Sequence, residues 1–332
     1  FNVQPITLAG WFDRLPRSTP HKGLFGVWNH AFPSRHPSVE PEWSRADWYD
    51  MVTAWFDRYL KGIDTGVERW PAVQIQSSNG QWWTAKEYPT IGGKAGQLAL
   101  GPRASLGKKR PKGESMFIEQ AQVGGAAPGQ EVIFQTPRLK RPLHLTGQPV
   151  ADLWLRSSRD DAHVAVKLEV LGGNGEPKLH EGSSGEAMAT YGVRSMQHLA
   201  PMKRGWFEQA QSQATPVDEP FRALVRFLPT DLVVPKGGRL RLTISGSVTY
   251  SKGDSLPSGA ASQVTVLHKC GRSSTLRFLV PSPRAKLINV REVDEPQPRL
   301  KSRPTRVGRK TGGGLATRKI CGKGPKRVPF LR

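Results

Sequence analysis

Apolar and polar positions follow two different rhythms along this chain, and the change falls near residue 90. In the N-terminal part the spacing is helical. Leu8, Trp11, Phe12 and Leu15 recur at i, i+3, i+4 and i+7, with Pro5 placed for a first turn and Pro16 for a stop, which predicts a short amphipathic helix. Lys22 to Trp28 reads as a buried strand. Trp48, Met51, Val52, Trp55, Phe56 and Tyr59 then predict a second helix, with Ser44 or Asp47 as its cap and Gly62 as a left-handed stop. Its aromatic stripe is read as a core face rather than a ligand platform, and Asp57 as a structural ion-pair partner. Val73-Gln-Ile-Gln-Ser77 and Trp82-Trp83 follow.

Residues 101–130 lose periodicity and are rich in Gly, Pro, Lys and Ala, the composition of a crossing loop or linker. From about 131 the period becomes two. Val150–Leu155, Val164–Val170, Phe221–Phe227, Leu240–Ile244, Gln263–Leu267 and Thr275–Leu279 alternate polar with large or β-branched residues, as strands with one wet face do. Many short strands split by Gly/Pro turns, with no helices between them, predict an antiparallel sandwich.

Composition narrows the function classes. At 332 residues the chain can bury a sizeable core, and two domains are expected. No apolar run approaches the ~20 residues of a membrane span, so no membrane span is expected. No secretory signal is visible behind Phe1, and the compartment stays unread. Cys270 and Cys321 allow at most one disulfide and sit in no metal or haem spacing, so neither a metal nor a cofactor is expected.

The net charge of +22 would ordinarily suggest a polyanionic partner, but residues 299–332 hold twelve Lys or Arg and no acid, leaving +10 for the other 298. That tail has Gly, Pro and charge without apolar periodicity, the composition of a disordered segment. Only Phe330 supplies an aromatic there, so no specific nucleic-acid partner is expected.

His30 is the candidate for chemistry. It follows a buried strand on its C-terminal side, where α/β sheets place reactive groups, in the run Gly26-Val-Trp-Asn-His30. His21 and His36 lack that context. Asp160 and Asp161 are adjacent, so on a strand they would point to opposite faces, and a turn or edge role suits them better than a carboxylate pair. Tyr191 and Trp206 read as strand aromatics of a core.

Four runs carry a family resemblance: the His30 segment, Trp55-Phe-Asp-Arg-Tyr-Leu-Lys-Gly-Ile-Asp-Thr-Gly-Val67, Ser157-Ser-Arg-Asp160 ahead of Val164-Ala-Val-Lys-Leu168, and Gly237-Gly-Arg-Leu-Arg-Leu242. Together, over about residues 1–290, they resemble the Xaa-Pro dipeptidyl-peptidase and cocaine esterase family of serine hydrolases. The resemblance implies the C-terminal remnant of an α/β-hydrolase domain followed by an antiparallel jelly-roll β-sandwich of galactose-binding type, mostly β overall.

The expected divisions are 1–90 for the hydrolase remnant, 91–130 for the linker, 131–295 for the sandwich and 296–332 for the basic tail. The implied chemistry is hydrolysis of peptide or ester acyl bonds by Ser, Asp and His, with His30 as general base. The family's Gly-Pro-Trp-Ser-His is here Gly-Val-Trp-Asn-His.

No Ser stands in G-x-S-x-G; Gly182-Ser-Ser-Gly185 has the wrong spacing, so the nucleophile is expected upstream of Phe1. The acid is either Asp13, in a Gly-Trp-Phe-Asp that resembles the family's Gly-Trp-Tyr-Asp, or a residue just before Phe1 that sets Asn2-Val3 in the family's register. On this reading the isolated chain is inactive, the partner is a peptide or ester substrate, and a homo-oligomer stays open. Two other readings remain: an acyl esterase or amidase of the cocaine esterase type, and a noncatalytic ligand-binding sandwich.

Overall fold

A computed structural model of the chain describes residues 15–16, 18–26, 45, 47–88, 93–109, 112–119, 130–160, 163–179, 187–195, 215–246, 261–269, 271–281 and 287–288. The first elements are β1 (Gly23–Phe25), α1 (Trp48–Lys61), β2 (Val73–Gln76) and β3 (Trp82–Ala85). There follow β4 (Lys94–Gly101), β5 (Ser105–Gly107), β6 (Gly113–Glu119), β7 (Glu131–Gln135), β8 (Leu143–Ser157) and β9 (His163–Leu171). The rest are β10 (Ala189–Ser195), β11 (Phe221–Arg226), β12 (Thr230–Val234), β13 (Arg239–Ser245), β14 (Ser262–Lys269), β15 (Arg272–Ser273), β16 (Thr275–Val280) and β17 (Leu287–Ile288). The described chain is mostly β.

A small sheet has the order β1-β2-β3-β17. β1 runs parallel to β2 (Leu24 opposite Gln74), and the connection between them contains α1, so this is a βαβ unit. Phe25, Val73, Ile75, Trp83 and Tyr88 form its core, with Phe25 and Tyr88 rings 4.5 Å apart. α1 ends as its sequence dictates: Gly62 adopts φ 74°, ψ 11°, a left-handed conformation that a side chain would strain, and its N–H donates to the Asp57 carbonyl. Asp57 forms the expected ion pair, 2.6 Å from Lys61 one turn on.

The start of α1 differs from expectation. Asp47 stands at the N-cap position but makes no capping hydrogen bond, because its carboxylate accepts two from Arg45 instead, at 2.7 and 2.6 Å. Ser44 lies outside the described residues. A second correction is larger: no residue of α1 is buried, so the aromatic stripe is not a closed core face.

The large sheet system has the order β10-β9-β13-β7-β5-β4-β16-β8-β14-β15, with β11 and β12 pairing to β8 and β6 to β14. β8 is its axis. One edge takes β12 at 143–147 and β11 at 150–155, while the other takes β16 and β14. The β10-β9-β13-β7 group continues this sheet system, joined to the rest through the Ser105–Gln135 pair of β5 and β7.

Alternation gathers the buried residues of these strands into one core. On β13, Leu240, Leu242 and Ile244 are buried while Arg239, Arg241 and Thr243 are half-exposed. They share one apolar cluster with Leu153 and Leu155 of β8 and Val264 and Val266 of β14. Every strand predicted by period two is present. The stretch read as a linker is not one: β4, β5 and β6 lie within 91–130 and pair into the large sheet. Lys94-Ala-Gly-Gln-Leu-Ala-Leu-Gly101 hides its strand because small residues replace the large alternating ones there. The predicted helix through Leu8 and Trp11 and the basic tail lie outside the described residues.

Candidate active site

Parallel strands present their C-terminal ends as sites of chemistry, and here those ends are Phe25 on β1 and Gln76 on β2. His30 and Asp13 lie outside the described residues, as do Asp161, Trp206 and both cysteines. What is described is the frame from which the chain departs toward His30 and to which it returns.

Lys22 fixes the departure. Its Nζ donates to the carbonyls of Trp70 at 2.6 Å and Glu68 at 3.2 Å, and burial lowers its pKa against the opposing pull of Glu68. The Gly23 N–H, one residue on, donates to Ala72 O at 2.9 Å.

Arg45 fixes the return. This fully buried guanidinium donates to Asp47, to Gln74 Oε1 on β2 at 2.8 Å and to Met51 Sδ on α1 at 2.9 Å, and lies 4.9 Å from the Trp82 ring centroid. A buried charge is stable only when paired and hydrogen-bonded, which this arrangement provides. Sequence reasoning passed over Arg45. The available signal was a cation two residues ahead of an acidic helix start.

The large sheet meets the C-terminal end of β2. Ser78 N donates to Asp231 O and Ser78 Oγ accepts from Val233 N, both on β12, at 2.9 and 2.8 Å. Asp231 Oδ1 lies 2.6 Å from His144 Nε2, and His144 stands edge-on to Trp83 of β3 at 6.1 Å. Tyr88 is buried beside them; burial and then the Asp231 charge push its phenol well above the usual range. These contacts splice the two sheets together. The pair of His144 and Asp231 is separated by 87 positions, so no local motif announces it.

Elsewhere the described polar groups are structural. His268 on β14 is buried, with Nε2 3.0 Å from Ser115 Oγ, Nδ1 without a partner among the described residues, and the Phe134 ring edge-on at 5.5 Å. A Ser–His contact of this kind lacks the orienting acid that nucleophilic chemistry needs. Asp152 accepts two hydrogen bonds from Arg222 and lies 3.3 Å from Arg277. Asp160 lies in the bend after β8, and Tyr191 on β10 is half-buried with Lys167 Nζ 5.8 Å from its ring. Among the described residues no three His, Cys, Asp or Glu side chains gather as a metal site, and no helix is long and apolar enough to cross a membrane.

The signature of the X-Pro dipeptidyl-peptidase C-terminal non-catalytic domain matches residues 65–256, more than half of the chain. The chain belongs to this family. The match takes in β2 through β13, whereas His30 falls outside it.

A Streptomyces avermitilis protein provisionally named an Xaa-Pro dipeptidyl-peptidase is 23% identical over 74% of this chain and 41% of its own length. A Bacillus anthracis protein of the same provisional name is 24% identical over 52% of this chain and 30% of its own. The chain thus spans about two fifths or less of these relatives.

Among solved structures, an aminopeptidase from a marine sediment thaumarchaeon superposes with a TM-score of 0.63 at 15% identity, over 84% of this chain and 51% of that one. An α-amino acid ester hydrolase gives 0.62 at 15% identity, over 82% and 52%. A CocE/NonD family hydrolase from Staphylococcus aureus gives 0.58 at 15% identity, over 72% and 46%. The fold is therefore shared with peptidase-named and esterase-named hydrolases alike.

Proposed function

We propose that this chain is the C-terminal part of a serine hydrolase of Xaa-Pro dipeptidyl-peptidase type, which cleaves peptide or ester acyl bonds with His30 as general base. The observation that carries the reading is the parallel β1–β2 unit. A three-residue strand whose partner β2 is buried at every position leads straight into the run that ends in His30. In acyl transfer an imidazole takes the proton of a serine hydroxyl and returns it to the leaving group, while a carboxylate holds the ring in one tautomer. Lys22 ties one end of the segment that carries that imidazole to the Trp70 carbonyl just ahead of β2, and Arg45 ties the other end to Gln74 on β2.

On this reading the serine lies upstream of Phe1, and the acid is Asp13 or an upstream residue. The divisions become a hydrolase remnant over about 1–90, a jelly-roll sandwich that begins at β4 and runs to about 295, and the basic tail beyond. The sandwich is the noncatalytic partner and the substrate is a peptide or ester.

Extending the reading frame upstream should reveal G-x-S-x-G. The extended protein should then hydrolyse an Xaa-Pro p-nitroanilide or a p-nitrophenyl acyl ester, with the ratio of the two rates deciding between peptidase and esterase. His30→Ala should lower kcat by about 10³-fold or more with the circular dichroism unchanged. An unchanged rate would overturn the assignment of His30.

A further inference from the structure

One end of the large sheet carries a strip of unpaired positive charge. Arg103 stands at the tip of the β4–β5 hairpin, Arg138, Lys140 and Arg141 lie between β7 and β8, and Lys236 and Arg239 stand in and just after the turn from β12 into β13. Backbone hydrogen bonds draw these segments together. Gln135 N donates to Ala104 O at 2.8 Å, Thr136 N to Leu240 O at 3.0 Å, Leu139 N to Gly238 O at 2.9 Å and Gly237 N to Leu139 O at 2.8 Å. The pairing of Leu143 with Val234 carries the order on to β8.

The strip is not neutralised by its surroundings. Five of the six cations are exposed, Arg239 is half-exposed, and none of them is ion-paired among the described residues. The chain has no Asp or Glu from 132 to 151 or from 232 to 253, and Glu176, exposed in the adjoining 172–176 turn, pairs with none of the six. Arg241, further along β13, is by contrast held by Glu169 at 2.9 Å. Arg103 and Ala104 both adopt φ 57°, a region that Gly or Asn usually fills, so the hairpin keeps an arginine at its tip against the backbone preference.

The arrangement selects among polyanions. With neighbouring strands ~4.8 Å apart, the strip is on the order of 20 Å long and holds roughly one cation per 3–4 Å. Phosphate charge recurs every ~3.4 Å along one strand of a duplex, a close match. Four of the six are arginines, whose planar fork meets a phosphate bidentately. Residues 102–104, 136–142 and 235–239 include no aromatic, Asn or Gln, so there is no ring for an unpaired base to stack on and no amide to read one. Leu139 packs against the core, which leaves no apolar anchor there for a bilayer.

We propose that this strip is a docking surface for the phosphodiester backbone of duplex nucleic acid, held by charge and without reading of sequence. The proposal does not depend on the hydrolase reading.

Binding of a mixed-sequence DNA duplex across a salt series tests it, on the 332-residue chain and on the chain extended upstream in its own reading frame. Arg138→Glu, Arg141→Glu and Lys236→Glu together should weaken binding at least ~30-fold and flatten the slope of log K against log salt by about 2–3. Glutamine at the same three positions should give a smaller loss in the same direction. The same reversal at Arg69, Lys86 and Arg159, exposed cations outside the strip, should change affinity less than ~3-fold, because screened charges at a distance contribute little. Unchanged circular dichroism checks the fold of each variant.

Equal losses in the two triple variants overturn the proposal, since binding would then follow net charge, the basic tail included. Strip-dependent binding to phosphatidylserine-containing vesicles without strip-dependent binding to the duplex overturns it in favour of a membrane surface. Strip-dependent binding that disappears in the extended protein overturns it as a property of the whole molecule.

Discussion

His268 is held neutral by its surroundings. Burial lowers its pKa from 6.5 to about 4, against a smaller opposing effect of the Glu114 charge, and its other neighbours are the Ser115 hydroxyl and the Phe134 ring. The unfolded chain therefore takes up a proton first as pH falls. The stability that the neutral ring contributes is complete above pH 6.5 and is lost as the pH drops from 6.5 toward 4. A thermal melt across that window should show the midpoint falling by several degrees, and His268→Gln should flatten the dependence there. A midpoint equally steep in the variant would place the responsible group elsewhere. None of this was visible in the sequence, where His268 is one of eight scattered histidines, because burial is a property of the pairing of β14 with β6.

Strands and helices differ in how openly the sequence declares them. β9, β11, β13 and β16 were legible because their large residues alternate, and alternation is a local property of extended backbone. β4 was not, because its small residues acquire meaning only from the strands beside them: a Cβ at Gly96 would lie 2.4 Å from the Phe278 ring. Gly192 on β10 makes the same point more sharply. A Cβ there would lie 2.1 Å from the Arg226 carbonyl oxygen, at the place where the chain between β11 and β12 closes onto β10 through Leu228 N to Tyr191 O, 2.7 Å. Gly192→Ala should cost about 1–3 kcal/mol in urea unfolding, since the obstacle is backbone that cannot rotate away. A cost within about 0.5 kcal/mol, the range of an ordinary surface substitution, would mean that this edge yields.

At the scale of the molecule, the small sheet and the large sheet are joined through Ser78, Asp231, His144 and Trp83. Ser78→Ala removes the acceptor of the Val233 N–H in a buried seam. It should cost about 1 kcal/mol and separate the unfolding of the two sheets, seen as Trp82 and Trp83 fluorescence changing before β13 loses hydrogen-exchange protection. Coincident transitions at wild-type stability would show that the seam does not couple them.

The sequence by itself determined the order of element types, the left-handed stop at Gly62, the family and the place of His30 after a strand, because periodicity, turn chemistry and motif spacing are written locally. Only the tertiary structure decided that no residue of α1 is buried, that Asp47 serves Arg45 instead of capping its helix, and that strands within 91–130 pair into the large sheet. Each depends on partners dozens of residues away, and the distant neighbour, rather than local propensity, decides which of several permitted arrangements a side chain takes.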